Sequence, residues 1–181
     1  MDKTLRKPYR PPVTDCGDFD IRIAADGTWL YRGSPIARMA LVRLFASVLK
    51  RDAAGDYWLE TPVERGRIRV DDAPFVAVEL DIEGTGRAQR LHFRTNIDER
   101  VTADQEHPIH VRSVPGRISD GGDGRPYIRL RDGIEALIAR SVYYALVDLA
   151  DEQPVDGRPQ LGVWSSGAFF SLVPATSMAS P

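Results

Sequence analysis

Two stretches of this chain repeat one structural phrase, and such a repeat restricts the fold more than any single motif does. WLYRGSPIARMALVRLFASVL (Trp29–Leu49) runs into the aromatic YWLETP, and YIRLRDGIEALIARSVYYALV (Tyr127–Val147) is followed by LGVWSSGAFFSL. Setting Ile36 on Ile134 places Ser34 on Asp132, Met39 on Leu137, Leu44 on Val142 and Phe45 on Tyr143. Each copy reads as a strand, a capping residue, a helix and an aromatic strand. The reading predicts that Trp29–Val70 and Tyr127–Leu172 form equivalent strand–helix–hairpin units, with Ser34 and Asp132 as helix N-caps. Pro35 then takes the first helical position, where its missing N–H does no harm.

The intervening segments read as antiparallel sheet. Phe19, Ile21 and Ile23 alternate, Asp26-Gly27 turns the chain, and Trp29–Tyr31 return. Val76, Val78, Leu80 and Ile82 alternate against Leu91 and Phe93 across a loop taken as Gly84–Arg87. That register sets Asp81 opposite Arg90 and Glu79 opposite His92. Short strands are expected near Val101 and at Ile109–Val114, a flexible loop at Ser119–Gly124, and a closing hairpin of Leu161–Ser165 with Ala168–Val173. Asp71-Asp72-Ala73-Pro74 is the best boundary. The expected organisation is a basic arm over 1–16, an N-terminal α/β domain over 17–72, a C-terminal domain over 73–174 and a tail over 175–181. The class is α+β: two small domains, each a mostly antiparallel sheet with one main helix.

Composition narrows function mainly by exclusion. The 181 residues are 43% hydrophobic and 28% charged, ordinary for a folded domain. No apolar run reaches the roughly 20 residues of a membrane span, and the MDKTLRKPYRPPV start lacks a signal-peptide core. One cysteine, Cys16, fits a reducing compartment, so a cytoplasmic location is expected. A net charge of -2 argues against a duplex-DNA binder. Of 24 basic residues only Lys3, Lys7 and Lys50 are lysines. Arginine suits bidentate phosphate or carboxylate recognition, although genome-wide bias produces the same count.

Arg38 and Arg140 fall within apolar arcs of the two expected helices. A guanidinium there needs a carboxylate or a ligand anion, and Glu60 and Glu64 are the first structural partners for Arg38. Arg65, Arg94, Asn96, His107 and Arg129 complete the candidate ligand-binding set, with Trp58, Tyr127 and Trp164 available to stack a base. The histidines lack metal-ligand spacing, since His107-Pro-Ile-His110 is stiffened by proline, so no metal site is expected. Gly162-Val-Trp-Ser165 is no nucleophile elbow and Gly84-Thr-Gly86 no phosphate loop. No catalytic residue and no cofactor is assigned.

The runs GSPIARMALVRLF, YWLETPVERGRIRVDDAPF, HFRTNIDERV with HPI, PYIRLRDGIEALIAR and the closing GVWSSGAFFSL resemble a bacterial domain-of-unknown-function family, number 1285. The resemblance covers Asp18 to Val173 in order. It implies a duplicated two-domain core, the second domain similar to a pleckstrin-homology-like open barrel. It also implies an interdomain groove for a nucleotide-like or nucleic-acid-based ligand, with a role in signalling and no established catalysis. A non-enzymatic ligand-binding protein is therefore the leading expectation. The alternatives are a protein-interaction module with a protein partner and an undetected hydrolase.

Overall fold

Period-two alternation dominates this chain, and strands dominate the computed structural model, which describes residues 13–113, 124–155 and 157–172. The expected arm over 1–12, the tail over 175–181 and the loop over 119–123 lie outside the described residues. The N-terminal domain consists of β1 (Thr14–Ile23), β2 (Trp29–Tyr31), β3 (Ser34–Pro35), α1 (Met39–Ser47), β4 (Leu49–Arg51), β5 (Tyr57–Glu60) and β6 (Glu64–Val70). β1 therefore begins inside the segment expected to be arm. The C-terminal domain consists of β7 (Phe75–Glu83), β8 (Arg90–Thr95), β9 (Arg100–Thr102), β10 (Ile109–Ser113), β11 (Gly124–Arg131), β12 (Ile134–Ile138), α2 (Arg140–Asp148), β13 (Asp151–Val155), β14 (Arg158–Ser165) and β15 (Ala168–Ser171). The class is α+β in two domains.

The first sheet has the order β3-β2-β1-β6-β5-β4, with β1 parallel to β6 and every other pair antiparallel. The second, β10-β11-β12-β7-β8-β9, likewise contains one parallel pair, β12 with β7, and curls into a half-barrel. β13, β14 and β15 form a separate antiparallel sheet. The element order of the repeat is thus duplicated: a hairpin, a helix and a three-strand meander. The sheet partners are not. The first meander shares a sheet with its hairpin through β1, whereas the second stands apart.

The helix starts differ from those read in the sequence. Arg32 and Gly33 have φ of 50° and 76°, a tight two-residue turn that folds Tyr31 back onto Ser34. Ser34 and Pro35 are therefore a short edge strand, where a proline costs no ladder bond. α1 begins at Met39 behind Arg38, which makes no side-chain cap. Asp132 likewise lies in the turn between β11 and β12, with Gly133 at φ 67°, and α2 follows Ala139 without a side-chain cap. The buried helix positions Val42 and Ala46 correspond to Val142 and Leu146, a spacing of 100 (142 − 42). Gly33 then matches Gly133, so the repeat is real but shifted by two residues from the Ile36–Ile134 alignment.

The β7–β8 register also moves. The connection runs from Gly84 to Gln89 and contains a 3-10 turn over Gly86–Ala88, longer than a four-residue loop. Glu79 consequently faces Arg94, Asp81 faces His92 and Glu83 faces Arg90.

Apolar packing is continuous across the two domains. Ile23, Trp29, Val42, Ala46 and Leu59 join Phe75, Leu91, Phe93, Ile128, Leu146 and Val163 in one buried cluster. Polar pins fix the seam. Arg43 Nε donates to the Ile97 carbonyl at 3.0 Å, and its guanidinium pairs with Asp98. Arg131 donates to the Ala46 carbonyl at the end of α1 (2.7 Å) and pairs with Glu99 (2.9 Å). Asn96 Nδ2 donates to the Gly27 carbonyl at 3.1 Å while its Oδ1 accepts from Val76 N–H.

Candidate functional site

A cavity of about 800 Å³ opens on the N-terminal domain where β6 runs into the linker. β1 contributes Asp18, Phe19 and Asp20; the β4–β5 connection contributes Arg51, Gly55, Asp56 and Tyr57; β6 contributes Arg67 to Val70; the linker adds Asp71 and Asp72. Its size is that of a small-molecule site. Phe19, Tyr57, Ile68 and Val70 give it an apolar wall, and charged groups line the rest.

Many of those charges are already engaged. Arg67 holds Asp18 bidentately at 2.6 and 3.2 Å, and Arg22 holds Asp71 at 2.9 and 2.6 Å. These bonds keep the Asp18 and Asp71 carboxyls below the usual carboxylate range. Asp72 accepts from the Tyr127 hydroxyl at 2.7 Å and pairs with Arg125, tying the linker to β11. Burial, reinforced by the bond to Asp72, pushes the Tyr127 phenol up to about 12. Burial also raises the Tyr57 phenol.

Arg51 and Arg69 have no carboxylate partner among the described residues. Arg51 Nε donates to the Gly55 carbonyl at 3.2 Å, with its guanidinium 5.2 Å from the Tyr57 ring centre. Arg69 has Arg22, a like charge, as its cross-strand neighbour, and acts on Asp18 and Asp71 only at longer range, both of which are held by other arginines.

Beyond Asp72, β10 to β12 carry a second polar group. Glu135 accepts from Arg112 at 2.6 Å and faces His110 Nε2 at 3.3 Å. Burial pushes the His110 imidazole down, against the opposing pull of Glu135. Arg112 also lies 3.7 Å over the Tyr127 ring.

The residues singled out in the sequence do not converge, and none lines this cavity. Arg38 is exposed and has no ion pair among the described residues, because the helix starts after it. Glu60 pairs with Lys50 instead, and the Glu64 carboxylate has, among the described residues, a long contact from the Cys16 thiol (3.9 Å) and no ion pair. Arg65 pairs with Asp15 at 3.0 Å, and Arg94 is held between Glu79 and Asp98. Asn96 is the seam pin described above. His107 Nδ1 meets Asp104 at 2.9 Å in a loop of the C-terminal domain. Arg129 is exposed, and Arg140 Nε donates to the Tyr144 hydroxyl at 2.7 Å. The three expected stacking rings are each covered by an arginine: Trp58 by Arg65 at 4.6 Å, Tyr127 by Arg112, and Trp164 by Arg87 at 4.6 Å.

Arg51, Arg69 and Asp20 went unselected in the sequence. The Arg67-Ile68-Arg69 alternation and the turn at Ala54-Gly55 were visible signals; the long-range β1–β6 pairing that brings them together was not. Among the described residues no three metal-ligating side chains cluster, and no helix is long and apolar enough to cross a membrane.

Two family models cover the chain: the N-terminal domain of unknown function DUF1285 matches residues 8–73, and the C-terminal domain of the DUF1285 protein of unknown function matches residues 74–172. The chain belongs to the DUF1285 family. A crystal structure of a DUF1285 family protein from Silicibacter pomeroyi DSS-3 is similar at 42% identity, with a TM-score of 0.80 over 95% of this chain and 92% of that one. A DUF1285 family protein from Shewanella baltica OS155 is similar at 27% identity, with a TM-score of 0.53 over 73% of this chain and 93% of that one. None of the curated proteins matches the chain.

Proposed function

We propose that this DUF1285 protein is a non-enzymatic, cytoplasmic ligand-binding protein of bacterial signalling, taking a small anionic, nucleotide-like ligand in the cavity beside its linker. The observation that supports this is a pair of guanidiniums, Arg51 and Arg69, that make no ion pair among the described residues, on a cavity wall where Arg67 is already held by carboxylates. A guanidinium offers a phosphate two parallel bonds, and Arg51 and Arg69 are both exposed and open to an incoming ligand. Asp72 ties the same wall to the C-terminal domain through Tyr127 and Arg125, so an occupant bears on the seam.

A thermal-shift series on the full chain with nucleoside monophosphates and short oligonucleotides tests the proposal. A ligand at about 100 times its Kd raises the midpoint by roughly 5 °C or more for a chain of this size. The shift disappears in the Arg51→Gln/Arg69→Gln double variant. No stabilisation of the wild type, or equal stabilisation of both proteins, refutes it. A second reading, a protein-interaction module, is favoured by one observation: Met39, Leu41 and Leu44 of α1 are exposed at 45%, 37% and 60%.

A further inference from the structure

The charge inventory of the cavity says more about its occupant than its size does. Three guanidiniums and five carboxylates line it, and Arg22 and Arg125, bound to Asp71 and Asp72 from outside the lining, bring the charges to balance. Asp18, Asp71 and Asp72 are each taken by a guanidinium, and Asp56 stands 3.7 Å from Arg67. What remains for a ligand is two donors, Arg51 and Arg69, and one acceptor, the Asp20 carboxylate, which has no partner among the described residues.

Register explains why Asp20 is left over. β1 pairs Asp18 with Arg67 and Arg22 with Arg69, so three residues of β1 stand against the single Ile68 of β6. Asp20 is the middle one. It lies in the resulting bulge with no β6 residue opposite it, and bulges commonly re-aim a side chain next to a site. Neighbouring strands run about 5 Å apart, so Asp20 on β1 and Arg69 on β6 can grip opposite ends of one small molecule.

We propose that the cavity's occupant joins one anionic group to an amino group, and that Asp20 is the residue that reads the amino group while Arg69 and Arg51 hold the anion. This rests on the ligand-binding reading above and adds the specificity. The shared chemistry occurs both in nucleotides whose base carries an exocyclic amine and in simple aminoalkyl phosphates.

Calorimetric titration of the full chain separates these cases with two matched pairs: cytidine against uridine 5′-monophosphate, and phosphoethanolamine against ethyl phosphate. Each pair differs in an N–H donor group. In the wild type the amino-bearing member of at least one pair binds about tenfold tighter, the size expected of one charge-assisted bond. Discrimination within the first pair alone assigns a nucleotide, and within the second alone an aminoalkyl phosphate. Asp20→Ala brings the discriminated pair to within about twofold, and Arg69→Gln weakens both members alike. Asp20 is exposed and its carboxylate has no partner among the described residues, so Asp20→Ala keeps the wild-type melting temperature and reports on binding alone. If both members of both pairs bind equally, or if Asp20→Ala preserves the discrimination, this inference is overturned while the binding site stands. If none of the four compounds binds, the cavity reading falls, and this inference with it.

Discussion

Replacing Arg131 by methionine tests whether the seam is held by directed bonds or only by apolar contact. The guanidinium donates to the Ala46 carbonyl at 2.7 Å and pairs with Glu99 at 2.9 Å, its side chain 36% exposed and centred 5.7 Å over the Phe75 ring. Methionine keeps the aliphatic stem against Phe75 and removes only the charge and the donors. A bond from a charged donor to a carbonyl contributes about 1–1.5 kcal/mol once exposure is allowed for. A half-exposed ion pair adds about 0.5 kcal/mol, and a cation at a helix C-terminus a similar amount. The Arg131 side chain is 36% exposed, so water can take the place of the lost donor at the Ala46 carbonyl and no larger penalty arises. The expected loss is therefore about 2 kcal/mol, or roughly 4–8 °C in the melting midpoint of a chain this long. Urea denaturation should show a lower midpoint with an unchanged slope, because the continuous core keeps both domains in one transition. Arg131→Lys should recover about half of the loss. A methionine variant within about 0.5 kcal/mol of wild type would refute the account, leaving apolar packing as the whole of the seam.

Gly162→Ala should destabilise by roughly 1–3 kcal/mol, since a Cβ there would sit 2.4 Å from the Phe170 carbonyl oxygen and 2.5 Å from the Phe169 ring; a wild-type melting curve would contradict this packing of β14 on β15. Acid should destabilise the protein through Asp18, Asp71 and Glu79, whose folded-state pKa values are lowered by Arg67, Arg22 and Arg94. Groups depressed on folding add stability that is complete above their unfolded values near 4 and is lost as pH falls through the lower folded ones. Urea midpoints at pH 5, 4 and 3 should fall less steeply in Arg67→Gln than in wild type, and parallel curves would exclude the Arg67–Asp18 contribution.

Legibility in the sequence followed the range of the interaction. Period-two runs such as Val76–Ile82 and the Asp26-Gly27 turn declared their hairpins, because alternation and turn chemistry are local. The helix starts misled because Gly33-Ser34-Pro35 carries two compatible local signals, a tight turn and a cap. Only the pairing of Tyr31 with Ser34 decides between them. Arg38 followed from that error: once the helix begins at Met39, no apolar arc encloses it. The cavity was hidden for a different reason. Asp20 and Arg69 come to line one cavity through a parallel pairing of β1 with β6, and nothing local to either strand announces a partner so far along the chain.

That same pairing has a consequence in time. β1 is the earliest strand among the described residues, yet it occupies the middle of its sheet, between β2 and β6. Asp18 waits for Arg67, 49 residues later. Until β6 leaves the ribosome, one edge of β1 stays open, and the loop that must close to seal it makes this a slow-folding topology. The nascent domain is thus most exposed to misassembly midway through its own synthesis, and a pause in translation before Val70 should prolong that interval.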